Sequence, residues 1–500
     1  MAKPLNESFH EGSHNNLFIL LIIIAIVTTT RIILLLISDL NLHGDEAQYW
    51  SWSQDLDWGY FTKPPLIAWA IHLTTLIFGN SEWAVRLSSP LFHAGTSLFC
   101  ALLATELFGR KALIWTGIIF LTLPAVSFSS FLISTDVPLL FFWSVALYAL
   151  LQILRTHHFL WVILLGVALG AGLLSKYAMG YFIICSFLAC TLIQQHRWFL
   201  KSYHGLISIL IALAIIAPNI YWNFYSGWAT VTHLGDNINL KGNLFNFSNA
   251  IYFLAEQAGV FGPVLFVVLL ASIIKLLRGK STKTEKWLLC YILPILLIVT
   301  LQAFLSRANA NWAAVAYVGA TILVSGWLLS NRKNLIIYIS TALHFLVLFI
   351  LAIYFLDLPG IEPPIKSDPL RKLRAWDKTS EHVAKFMNKY PGHKLLTDDR
   401  KTMASLIYGL RAEKYRPLIW DYDGIPNHHY ELAAKYYGKP QDKILLVAKW
   451  DNPYPILDRF LSVERLEKIE VKTGKGRVRT LHVFKLANIY LGKLDVENKI

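Results

Sequence analysis

Apolar positions in this chain come in blocks. Residues Leu17 to Ile37 are almost all Leu, Ile, Val, Ala and Thr, interrupted by Arg31. An apolar run of about 20 residues can cross a bilayer, and because lipid offers the backbone no hydrogen-bond partners it must do so as a helix. Similar runs recur near 83–107, 111–128, 134–153, 159–174, 177–194, 205–222, 250–275, 287–305, 312–329 and 335–356. The pattern therefore predicts a mainly α, polytopic membrane helical bundle of about eleven spans. The first run is too long for a signal peptide and has no small-residue cleavage site, so it is expected to be a retained anchor. Segment 65–78 is too short to span comfortably and is expected to lie along the interface as an amphipathic or re-entrant helix.

The pattern changes after Phe355. Leu358-Pro359-Gly360 and Pro363-Pro364 read as a linker. Short strand-like runs follow at Lys394–Leu396, Pro417–Trp420, Lys443–Ala448 and Arg477–Leu486, between helix-like stretches such as Ser380–Tyr390 and Met403–Tyr408. The expected organisation is a multi-spanning membrane domain over 1–356 and a small soluble α/β domain over 357–500. No internal repeat or low-complexity tract is evident.

Charge decides the orientation. The net charge of +14 could suggest nucleic acid, but its distribution argues otherwise. Basic residues cluster in Gly109-Arg110-Lys111, Arg155 to His158, His196 to Lys201, Lys275 to Lys286 and Asn331-Arg332-Lys333. These loops alternate correctly to be cytoplasmic together, and the remaining charge suits anionic lipid headgroups. The loops with candidate chemistry, and the C-terminal domain, then fall together on the opposite, non-cytoplasmic face. Cys100, Cys185, Cys190 and Cys290 sit in apolar runs without metal-like spacing and read as packing residues.

The densest candidate chemistry follows the first span. His43-Gly44-Asp45-Glu46-Ala47-Gln48-Tyr49-Trp50 places two acids near a membrane exit, and Gly59-Tyr60-Phe61-Thr62-Lys63-Pro64-Pro65-Leu66 adds a cation at a helix break. Asp45 and Glu46 could simply open a helix, and Lys63 could only snorkel. A carboxylate pair beside a fixed cation is also what a phosphate leaving group and an acceptor hydroxyl require. Asp136, in Ser134-Thr135-Asp136-Val137-Pro138, is either a helix-start acid or a functional carboxylate at membrane depth. Lys176 interrupts two apolar spans and calls for an anionic partner. Arg86 sits at helical spacing from Glu82, and Arg307 lies before Asn309-Ala310-Asn311-Trp312, on the face where basic residues are not expected. His233 is a lone loop histidine. The candidate catalytic set is thus Asp45, Glu46 and Asp136; the substrate-binding set is Lys63, Tyr60, Arg86, Lys176 and Arg307.

Read together, these motifs resemble a known family. Asp45-Glu46-Ala47, Tyr60-Phe61-x-x-Pro64-Pro65-Leu66 and Arg86-Leu87 are followed in order by Gly109-Arg110-Lys111-Ala112, Thr135-Asp136-Val137-Pro138, Lys176 and Asn311 to Tyr317. Over roughly residues 20–330 the chain is similar to the multi-spanning glycosyltransferases of the GT-C superfamily, in the branch of protein mannosyltransferases and aminoarabinose lipid A transferases. The resemblance implies a polyprenyl-phosphate sugar donor taken from the membrane. Transfer would go with inversion to lipid A or lipopolysaccharide, another glycan, or a protein. It further implies that Asp45 activates or orients the acceptor, that Asp136 is a second acid, and that Lys63 and Lys176 hold phosphate. Many relatives carry Asp-His or Glu-Lys before Pro-Pro, where this chain has Thr62-Lys63. The lysine matches the aminoarabinose-transferase type, while Thr62 removes one acid that could ligate metal. No cofactor is therefore required by the sequence, and His233 and Glu46 are the candidate ligands should a divalent ion bind.

The physical case for an enzyme stands beside the resemblance. Polyprenyl phosphate leaves well once its charge is neutralised, and lysines or arginines can do that without a nucleotide-binding fold. The chain has no P-loop and no dinucleotide glycine pattern. The competing reading is a polytopic transporter or lipid flippase of cell-envelope polysaccharide assembly, which would also place charges among helices. Inverted repeats are expected there, and none is found. A non-catalytic assembly subunit is the third reading.

Overall fold

The computed structural model describes residues 8–238, 244–358, 361, 368, 370–424, 426–474 and 476–490. Pro359, Gly360, Pro363 and Pro364 of the expected linker lie outside the described residues. The chain forms two compact units. The first comprises Met1–Ile37, Lys63–Ala70 and Arg86–Ile353; the second comprises Ser38–Thr62, Ile71–Val85 and Tyr354–Ile500.

The first unit is helical. Among the described residues six helices are long and apolar enough to cross a membrane: Asn15–Ile37, Glu82–Phe108, Asp136–Thr156, Tyr203–Tyr225, Lys283–Leu305 and Asn334–Phe355. Two further regions are sharply bent pairs; the expected span 177–194 ends at the first bend, and the expected span 250–275 contains the second. Tyr177–Leu192 turns into Gln194–Leu200 through 116°, and Phe247–Phe261 into Pro263–Leu277 through 117°. Gly262 makes the second bend. Its φ of +89° suits glycine, and an added Cβ would lie 2.2 Å from His344 Nε2. Pro263 then starts the next helix without needing an N–H partner. The other expected spans appear as shorter helices, Lys111–Thr122, Phe159–Ser175 and Ala316–Ser330. The segment expected along the interface is the helix Leu66–Phe78.

Large apolar side chains such as Phe18, Leu213, Leu297 and Leu346 point outward, as lipid-facing residues do. Between helices, small residues permit close approach. A methyl added at Gly166 would lie 2.8 Å from the Ser208 carbonyl, and one at Gly170 2.7 Å from Ile215 Cβ. Phe159–Ser175 thereby packs tightly on Tyr203–Tyr225. Arg31, the interruption of the first apolar run, is fully buried and donates from Nη2 to the Leu121 carbonyl at 2.5 Å. That carbonyl belongs to the last turn of Lys111–Thr122, beside Pro124, where helical acceptors lack backbone donors. Arg31 caps a broken helix.

The second unit is built on a five-stranded sheet. Its strands are β1 (Lys394–Thr397), β2 (Leu418–Ile419), β3 (Lys443–Ala448), β4 (Phe460–Gly474) and β5 (Arg477–Ile489), in the order β2-β1-β3-β5-β4. β1 runs parallel to both β2 and β3; β5 is antiparallel to β3 and to β4. Alternation along the strands fills two cores. Leu395, Leu445, Val447 and Leu481 pack with Val383, Met387 and Leu406 of the helices Trp376–Lys389 and Arg400–Gly409. Leu396, Ile444, Leu446 and Phe484 pack with Tyr436, Ile456 and Phe460.

Residues 38–62 and 71–85, grouped by sequence with the membrane domain, are knitted into this unit. Asn41 Oδ1 accepts from the Trp376 backbone N–H at 2.7 Å. Asn80 takes Trp50 Nε1–H on Oδ1 and the Tyr408 hydroxyl on its carbonyl, both at 2.8 Å. Ser51 Oγ lies 3.0 Å from the Tyr430 hydroxyl.

Candidate functional site

Two acid–cation clusters carry the candidate chemistry, one in each unit.

In the second unit the acidic loop is organised by a helix start. His43 caps the helix Gly44–Ser53, its Nδ1 accepting from the Asp45 N–H at 3.2 Å. Glu46 Oε2 accepts from the His43 N–H at 2.8 Å, which completes a capping box. Glu46 is buried, so its carboxylate fixes how the loop enters the helix. Asp45 points the other way. Its side chain is 41% exposed, and Oδ1 accepts from Arg400 Nη2 at 2.8 Å. Arg400 also donates from Nη1 to Oε1 of the buried Gln48. Lys401 comes close behind, since a Cβ on Gly44 would lie 3.0 Å from Lys401 Cβ. Burial pushes the Asp45 carboxyl up, but Arg400, His43 and Lys401 outweigh it and leave it below the usual carboxylate range. Asp45 therefore stays ionised at neutral pH.

Tyr60 belongs to the same unit and is buried. It stacks on Trp52 with ring centroids 4.6 Å apart. Its hydroxyl donates toward the carbonyls of Trp52 at 3.0 Å and Asp55 at 3.1 Å, and accepts from the Asp57 N–H at 3.1 Å. Burial raises its pKa to about 12. This hydroxyl holds the 52–60 turn closed.

In the first unit Asp136 begins the helix Asp136–Thr156. Thr135 makes no side-chain cap there; Asp136 itself puts negative charge at the positive helix end. Its Oδ1 accepts from Lys176 Nζ at 2.6 Å and its Oδ2 from Asn311 Nδ2 at 2.7 Å. Lys176 stands in extended backbone between Phe159–Ser175 and the short turn Tyr177–Met179, so its side chain leaves the helix line. The next residue is pinned as well: the Tyr177 hydroxyl donates to Asn219 Oδ1 at 2.7 Å and accepts from Asn223 Nδ2 at 3.1 Å. Side-chain exposures of 20% for Lys176 and 13% for Asp136 make this a half-closed ion pair.

The structure thus joins Asp136 to Lys176. Lys63 is half-buried ahead of Pro64-Pro65, Arg86 is fully buried at the end of the helix Glu82–Arg86, and Arg307 is exposed. His233 lies on the helix Ala229–Ile238. Among the described residues no three His, Cys, Asp or Glu side chains come together as a metal-binding group. Sequence reading missed Arg400 and the role of Asn311. The run Asp398-Asp399-Arg400-Lys401 after β1 was the available signal for Arg400, but its partner is 355 positions away.

The acid–lysine pair thus stands at the start of one apolar helix and the end of another, and the acidic loop is part of the α/β unit. Comparison with known proteins bears on this directly. The family described as dolichyl-phosphate-mannose-protein mannosyltransferase matches residues 62–222. Lipid A galacturonosyltransferase RgtD of Rhizobium johnstonii is 32% identical over 449 residues, 89% of this chain and 92% of that protein. An undecaprenyl phosphate-alpha-4-amino-4-deoxy-L-arabinose arabinosyl transferase of Pseudomonas savastanoi pv. phaseolicola is 26% identical over 220 residues, 39% of this chain and 38% of that enzyme. The fold matches crystalline ArnT from Cupriavidus metallidurans bound to undecaprenyl phosphate, with TM-score 0.67 and 14% identity over 94% of this chain and 97% of that one. This chain belongs to the membrane glycosyltransferases of the GT-C superfamily and is a multi-pass membrane protein.

Proposed function

We propose that the chain moves a sugar from a polyprenyl-phosphate donor to lipid A or a related lipopolysaccharide acceptor at the periplasmic face of a bacterial inner membrane. The observation that carries this reading is the 32% identity to a lipid A galacturonosyltransferase over nearly its whole length. A hexuronate is accordingly the first donor sugar to test. The five basic loops support the orientation. By length and composition the described residues supply six crossings, or up to eight if each bent pair is one span.

In the reaction the acceptor hydroxyl oxygen bonds to the anomeric carbon as the bond to the phosphate oxygen breaks, inverting that carbon. Asp45 orients the hydroxyl and takes its proton; such help is worth about a hundredfold to ten-thousandfold. Lys63 neutralises the leaving phosphate. Lys176 reaches phosphate only by exchanging Asp136 for it, so the pair holds a cation in reserve. Glu46 and Tyr60 shape the loop.

The test is purified protein with a polyprenyl-phosphate hexuronate and lipid A, read by mass spectrometry, beside lipid A from cells with and without the gene. Gene-dependent addition of one sugar that the purified protein reproduces upholds the reading. Unchanged lipid A and no transfer in vitro rejects it.

A further inference from the structure

Asp45 lies in a part of the second unit where cations outnumber the carboxylates available to meet them. Arg400 donates to its Oδ1, and the charges of Lys401 and Lys372 both bear on His43, which caps the same helix start. The other acids that act on Lys401 or His43 are Asp399 and Glu46, and both are engaged elsewhere. Glu46 closes the capping box. Asp399 caps the helix Arg400–Gly409, with Oδ2 accepting from the Thr402 N–H at 2.9 Å and Oδ1 from Lys449 Nζ at 3.2 Å. His43 adds no charge at neutral pH, since burial and the two lysines outweigh Asp45 and Glu46 and leave its pKa below the usual histidine value. Asp45 alone is left to answer three cations.

Lys401 is the cation left over. Its amino group makes no hydrogen bond or ion pair among the described residues, although the side chain is half-buried. Its stem lies on Gly44, where an added Cβ would sit 3.0 Å from Lys401 Cβ and 3.1 Å from Cγ. Residue 44 therefore has no room for a side chain, and the lysine is held at the start of the helix that carries Asp45. Burial lowers its pKa, Asp45 opposes, and Lys372 and Arg400 push it down further, so it ends below the usual lysine value. A lysine on a solvated face would turn its head into water and escape this crowding. Lys372 is exposed, and its amino group also has no bonded partner among the described residues. Two ammonium groups with unused donors, beside a single engaged carboxylate, suit an oxyanion held by charge-assisted hydrogen bonds.

We infer that Lys401 and Lys372 form an oxyanion subsite beside Asp45, taking a phosphate or carboxylate substituent of a substrate sugar other than the leaving phosphate. The oxyanion bonds to the two lysines and leaves Arg400 on Asp45. The sugar that bears it then lies next to the carboxylate that receives the acceptor proton. The role in transfer rests on the function proposed above; the binding of an oxyanion does not.

Two measurements on the full chain in detergent test this. The first needs no transfer: acylation of Lys401 by an amine reagent, followed by mass spectrometry. Inorganic phosphate, galacturonate or both should slow it severalfold relative to chloride at the same ionic strength. Galactose should not, and the exposed Lys443 should keep its rate throughout. The second compares lipid A with its dephosphorylated form, and a polyprenyl-phosphate hexuronate with the corresponding hexose. Lys401→Gln should raise KM for the charged member of one pair by about tenfold or more, with a much smaller change for the neutral member, because a charge-assisted bond is lost. Lys401→Arg should keep most of the preference, and both variants should unfold near the parent's temperature. The affected pair tells whether the oxyanion belongs to the acceptor or to the donor. No protection by either anion, protection by galactose as strong as theirs, or substrates indifferent to Lys401→Gln overturns the inference. So does equal weakening of charged and neutral substrates. Protection by an anion without transfer from any donor would instead sink the proposed function and leave this subsite standing.

Discussion

The two acid–cation clusters use the same ingredients to opposite ends. Asp136 and Lys176 sit among apolar helices, mostly shielded, with Asn311 filling the carboxylate's second oxygen. Asp45 and Arg400 sit in the second unit with the carboxylate far more open, at 41% exposure. Shielding makes a charge pair strongly dependent on its partner, because removing one member strands the other in low dielectric. Openness makes the second pair cheap to break and available to a substrate. The closed pair suits keeping charge in place; the open one suits chemistry.

The comparison breaks most visibly at Asp45. Asp45→Asn keeps the shape and loses the charge, so turnover of a lipid-linked donor should fall by about a hundredfold to ten-thousandfold with only a small loss of stability, because the pair with Arg400 is open. Near-normal turnover would move the catalytic role away from the open pair.

Next is the closed pair. Asp136→Asn or Lys176→Met alone should lower stability in detergent by about 2–3 kcal/mol, because each strands a shielded partner. The double variant should recover most of that loss. Simple additivity in the thermal unfolding of all three proteins would show that the two groups are not coupled.

Arg400→Gln sharpens the contrast through pH. Asp45 is held below the usual carboxylate range because Arg400 and its neighbours outweigh burial. Such a group contributes stability above its unfolded pKa, and the contribution is lost as pH falls through the folded value. Without Arg400 the carboxyl titrates higher, so the acid limb of the pH–rate profile should move to higher pH. An acid limb that stays where it was would free Asp45 from Arg400.

The smallest effect belongs to Tyr60. Tyr60→Phe removes a buried hydroxyl with three backbone partners and should cost about 1–2 kcal/mol of stability while leaving turnover within a few-fold. Loss of turnover without loss of stability would return Tyr60 to the substrate.

Legibility in the sequence followed local pattern. Apolar blocks announced the helices, and Asp45, Lys63, Asp136 and Lys176 stood out because charge is rare beside such blocks. The bend at Gly262-Pro263 was written as two adjacent residues, yet block length outweighed it in the reading. β4 was invisible for a different reason. Most of it is exposed, Val463 included, and only Ile469 and Val471 alternate into the core, so its apolar signal is thin. Arg400 could not be paired with Asp45 from sequence, since only the folded second unit brings the two together.

Unit 2 also bears on modular exchange between relatives. Asn41 and Asn80 hold Trp376 and Tyr408 through hydrogen bonds that straddle the membrane-spanning part of the sequence. A chimera joined at residue 356 would separate a donor domain from the loop that it grips. The acidic loop would then stand without Arg400 although every membrane helix remained. Grafting the C-terminal sheet together with 38–62 and 71–85 keeps the unit whole, so the heritable module here is discontinuous in the gene.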